Sequence, residues 1–84
     1  MDMRVESEIE TLMKWINRDT GISNTFDHNR CLDMFERLKG LRVPFNPEEI
    51  HSKLIAKWKL APNDADKIKE MADKIAQGKR VKRR

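Results

Sequence analysis

The chain has 84 residues, with 18 Lys and Arg against 14 Asp and Glu, and it is 38% hydrophobic and 38% charged. That length holds one domain and excludes two separate cores, and no apolar run approaches the length that crosses a membrane. Five of the basic residues fall in Lys-Arg-Val-Lys-Arg-Arg at 79–84, which leaves 13 against 14 acidic residues in 1–78, so the net charge of +4 belongs to a tail and not to the body.

Tyr is absent, Gly and Pro number three each, and β-branched residues never alternate with polar ones over the length of a strand. The expected fold is all-α: a compact bundle of about four short helices over residues 1–78, followed by the basic C-terminal tail 79–84. The single Cys31 excludes an internal disulfide and the cysteine-based zinc clusters, which points to a reducing compartment. The N-terminus, Met1-Asp2-Met3-Arg4-Val5-Glu6, has acid where a secretory signal has a basic start. A cytoplasmic protein without membrane association is the expectation.

The first helix carries Val5, Ile9, Leu12 and Ile16 at helical spacing, with Met13 and Trp15 on its flanks, up to the break at Asp19-Thr20-Gly21. Its apolar arc spans roughly 160°, wider than a minimal stripe, which predicts two neighbours. Met13 and Trp15 sit on opposite flanks, so at least one is expected to stay exposed as a contact for a protein partner or for a second copy of the chain.

Residues 22–25 form a polar connection, and Thr25 or Asp27 is placed to cap a second helix with Cys31, Met34, Phe35 and Leu38 on its apolar side, ending at Gly40 or Arg42. The third helix has the clearest start in the chain. In Asn46-Pro47-Glu48-Glu49 an amide side chain can accept orphan N–H groups, proline suits the first helical position, and two acids face the positive end of the dipole. Ile50, Leu54, Ile55 and Trp58 give that helix an apolar side, with Trp58 expected in the core. Asn63 and Asp64 are expected to open the last helix, whose inner face is Ala65, Ile68, Met71, Ala72, Ile75 and Ala76, with Gly78 as a left-handed stop.

No constellation of catalytic residues emerges. His28 and Cys31 lie three apart beside Asp27, with His51 among the apolar positions of the third helix, so a mixed metal site can be drawn. Spacing alone is poor evidence, and a packed thiol with two partly covered imidazoles explains them. No oxyanion-forming turn accompanies the Cys-His pair. Glu6, Glu8, Glu10, Glu48 and Glu49 lie at helix starts or on polar faces, where solubility and the helix dipole account for them. The expectation is a non-enzyme that needs no metal or cofactor.

Two binding readings remain. One is a protein-interaction or regulatory module contacting its partner through Met13 and Trp15. The other is association with nucleic acid through Lys79, Arg80, Lys82, Arg83 and Arg84, which can neutralise phosphates but carry no interleaved aromatic platform. A helix-turn-helix across Lys59-Leu60-Ala61-Pro62 is disfavoured, because the would-be reading helix sets Asp64, Asp66, Glu70 and Asp73 against Lys67, Lys69 and Lys74.

From Met34 to Val81 the chain resembles the YoaC-like family of small bacterial proteins of unknown function. The resemblance is carried by Phe35-Glu36-Arg37-Leu38-Lys39, Val43-Pro44, Ile50, Trp58, Lys67-Ile68 and Ala76-Gln77-Gly78-Lys79-Arg80-Val81. It implies an all-helical fold in a bacterial cytoplasm and assigns no activity. The family pattern continues past the Val81 position with a further segment, whereas Lys82-Arg83-Arg84 follow here.

Overall fold

Four helices follow one another in a computed structural model that describes residues 2–18 and 28–83, the side chains of 15–18 excepted. They are α1 (Met3–Arg18), α2 (His28–Gly40), α3 (Pro47–Ala56) and α4 (Pro62–Ala76), and no strand occurs among the described residues. The fold is the expected all-α bundle. The break at Asp19-Thr20-Gly21, the connection 22–25, the caps assigned to Thr25 and Asp27, and the packing of Trp15 and Ile16 lie outside the described residues.

Asp2 opens α1. Its carboxylate accepts from the Arg4 N–H at 2.8 Å, and its carbonyl accepts from the Glu6 N–H at 3.1 Å, which is an N-cap that the sequence reading passed over. Val5, Ile9, Leu12 and Met13 are buried along the helix. Met13, one of the two flanking residues, is only 3% exposed and is no surface contact, which leaves the expected exposed flank to Trp15, whose side chain lies outside the described residues. Met13 stands four residues after Ile9, which rotates it only about 40° around the axis, well inside the stripe that faces the core. The wide arc predicted two neighbours, but among the described helices α1 packs against α2 alone. Glu8 pairs with Arg37 of α2 at 2.7 Å, and at the surface Glu6 pairs with Lys57, just past α3, at 2.5 Å.

The central element is α2. Cys31, Leu32, Met34, Phe35 and Leu38 are all buried, and Phe45 of the following loop stacks at a tilt on Phe35, with 5.2 Å between ring centroids. The helix ends in a Schellman turn: the Val43 N–H donates to the Leu38 carbonyl and the Arg42 N–H to that of Lys39. Val43 and Leu38, the two residues the turn brings together, are both core residues. Arg42 occupies the left-handed position with φ 58°, where glycine carries no steric penalty.

Asn46 caps α3 as expected, its side-chain oxygen accepting from the Glu48 and Glu49 N–H groups at 2.9 and 3.3 Å. Ile50 and Leu54 are buried. Ile55, 38% exposed, is turned outward by the one-residue step from Leu54, and Trp58 is half-buried and packs at the margin of the core with Lys57 Nζ 4.9 Å above its ring. The start of α4 departs from expectation. Pro62 is its first residue and its fixed φ suits that position, while the N-cap is Ala61, whose side chain has no acceptor and so makes no cap bond. Ala65, Ile68, Met71, Ala72 and Ile75 are buried, whereas Ala76, in the last turn, is exposed. Gly78 ends α4 with φ 78° in a second Schellman turn, its N–H on the Ile75 carbonyl and the Lys79 N–H on that of Lys74.

The helices α3 and α4 lie antiparallel, with Glu48 paired to Lys69 at 2.9 Å and His51 to Asp66 at 2.7 Å. Lys39 Nζ donates to the Ile75 carbonyl at 2.8 Å and so ties the end of α2 to the end of α4. The radius of gyration is 11.9 Å, close to the roughly 12 Å of a well-packed chain of this length.

Three measurements check these assignments. Replacing Asn46 with Ala removes the acceptor at the start of α3 and is expected to lower unfolding stability by about 1 kcal/mol in a urea titration. Replacing Arg42 with Gly relieves the left-handed strain and is expected to raise it by up to about 1 kcal/mol, the gain being limited by the greater freedom of glycine in the unfolded chain. The third concerns acid. Hydrogen bonds from Lys57 and Lys69 hold the carboxyl groups of Glu6 and Glu48 below their ordinary pKa. Each therefore contributes stability above the unfolded value near about 4.3 and loses it as pH falls through the folded value. Melting temperature is expected to drop on acidification across that range, and to drop less in a Glu6→Gln, Glu48→Gln double variant.

Candidate functional site

The tail is where structure adds most to sequence. Lys39 Nζ lies near Gly78, 3.5 Å from where a Cβ would stand, and His28 Nε2 lies 2.7 Å from the Lys82 carbonyl oxygen. His28 and Lys39 are eleven positions apart on α2, a rise of about 16 Å. The four residues from Gly78 to Lys82 reach at most about 14 Å when fully stretched. The side chains of Lys39 and His28 cover part of that distance, and the chain after α4, with neither helix nor turn over 79–83, runs back along α2 from its end towards its beginning.

Three contacts hold it there. Val81 is half-buried and packs against the core. A carbonyl oxygen only accepts, so the His28 Nε2 carries the hydrogen in its bond to Lys82. The Arg83 guanidinium pairs with the Asp33 carboxylate on α2. Residues 79–83 are thus a strap fastened to the domain and not a separate solvated end. Arg84 lies outside the described residues.

Of the tail cations, only Arg83 is engaged by a carboxylate among the contacts described. Lys79, Arg80 and Lys82 are exposed, and Arg80 and Lys82 border a shallow groove with Glu36 of α2. At the joint ends of α2 and α4 the basic character continues through Lys39 and the strained Arg42. Sequence reasoning singled out the tail but missed its anchors. Nothing in the spacing of His28, Asp33 and Val81 connects them, and only the packing of α4 against α2 brings them together.

The other sequence candidates do not converge. Met13 is in the core, and the side chain of Trp15 is outside the described residues. Cys31 is fully buried, His28 holds the strap and His51 holds Asp66. No three His, Cys, Asp or Glu residues gather as metal ligands among the described residues. Between α1 and α2 a groove of about 170 Å³ is lined by Glu8, Thr11, Leu12, Arg30, Asp33 and Arg37, and both its acids are already paired, Glu8 with Arg37 and Asp33 with Arg83. No described helix is long and apolar enough to cross a membrane.

Comparison with known proteins gives a family and no activity. No curated protein and no solved structure matches the chain. One family model does, and it spans residues 1–84. Helical throughout its described secondary structure and closed by a basic strap, this chain belongs to the family described as Domain of unknown function (DUF1889).

Proposed function

We propose that this protein is a non-catalytic binding module that holds duplex nucleic acid by its phosphate backbone. The observation that carries the reading is the strap: Lys79, Arg80 and Lys82 stand exposed on a segment fixed to α2, on a domain whose remaining charge nearly cancels. Cations displayed in this way release counterions from a phosphate chain without reading its bases. The tail contains no aromatic residue on which single-stranded bases could stack, which favours a duplex over an unpaired strand. A protein partner is the second reading. Leu41, 65% exposed on the rigid turn after α2, favours it, while the burial of Met13 removes one of the two contacts first assigned to it.

The test is fluorescence anisotropy of a short labelled DNA duplex of arbitrary sequence, titrated with the full chain over a series of salt concentrations. Binding is expected at low salt, with log K falling against log salt at a slope of roughly −3 for three engaged cations. It is expected to vanish in a Lys79→Gln, Arg80→Gln, Lys82→Gln variant, which keeps Val81 and the fold. Equal binding by that variant would overturn the proposal.

A further inference from the structure

We infer that the strap is a preorganised clamp for two neighbouring phosphates of one duplex strand, with Val81 and His28 as its positioning residues. The inference rests on the reading of the strap as a nucleic-acid contact and adds how that contact is built. In a stretched chain successive side chains point to opposite sides. Val81 packs inward and Arg83 reaches Asp33 on α2, while Arg80 and Lys82, on either side of Val81, are both exposed and border one groove with Glu36. Two residues of extended chain separate them by roughly 7 Å, comparable to the distance between successive phosphates along a strand.

A free tail of the same composition would lose its backbone freedom on binding, and that loss would offset much of the electrostatic gain. Here the freedom is already gone. Val81 fixes the middle of the strap against the core, and the bond of His28 to the Lys82 carbonyl fixes the peptide beside the second cation. Neither residue needs to touch the phosphate. Each acts by keeping Arg80 and Lys82 in step.

The same DNA titration tests this on the full chain with His28→Ala and Val81→Ser, both of which keep every tail cation. Each is expected to weaken binding roughly threefold to tenfold at every salt concentration while leaving the salt slope unchanged, because no phosphate contact is lost. Lys82→Gln provides the contrast and is expected to make the slope shallower by about 0.9. Unaltered affinity in the His28→Ala variant, with binding by the parent still dependent on Lys79, Arg80 and Lys82, would overturn the clamp and leave a flexible polycation in its place. A shallower slope in His28→Ala would overturn it differently, by showing that the imidazole is itself a phosphate contact. Circular dichroism melting accompanies both variants, and if Val81→Ser lowers the melting temperature, His28→Ala alone decides.

Discussion

Everything in this molecule leans on α2. Its five buried side chains spread over more of the helix circumference than a surface helix presents, and α1, α4 and the strap each take a share of what they cover. Phe35, fully buried and stacked on Phe45, is the largest of them. Truncating a residue of that kind typically costs about 3–5 kcal/mol, against the about 5–15 kcal/mol that a whole domain commands. A chain of this size has no second core on which to fall back, so α1, α4 and the strap take their positions from how they fit around this one helix, and α3 takes its own from α4.

That dependence also separates what the sequence disclosed from what it withheld. Asn46-Pro47-Glu48-Glu49 was legible because a helix start is decided by neighbours in the chain: an acceptor, a residue without an N–H, and acids near the dipole. The start of α4 was misread because Asn63 and Asp64 look like caps, yet Pro62, one residue before Asn63, already suits the first helical position. Which flank of the α1 arc faces the core was left open by the sequence, and packing turned Met13 inward. The strap could not be read at all. Charge marks the tail, but its fixation requires that Val81 meet the core and that His28 and Asp33, some fifty residues earlier, come into reach.

The charge distribution has a structural logic of its own. Two helices finish side by side, where their unsatisfied carbonyls concentrate partial negative charge. Lys39 satisfies one of these carbonyls, and Arg42 and Lys79 occupy the turns that close the two helices. Cations placed there are stabilised by the helix ends, so the domain can gather positive charge at one edge without the self-repulsion that a bare cluster would suffer. The same arrangement leaves the outer face of α3 and α4 laced with alternating pairs, Glu48 with Lys69, His51 with Asp66 and Glu70 with Lys74.

The lone thiol has a consequence of a different kind. Cys31 lies on the buried face of α2 and has no accessible surface. A thiol reacts as the thiolate and only when a reagent can reach it, so its modification must wait for the helix to come away from its neighbours. Because α1, α4 and the strap all rest on α2, the chain carries a natural clock at its centre, and the rate at which a thiol reagent consumes it counts the openings of the whole assembly.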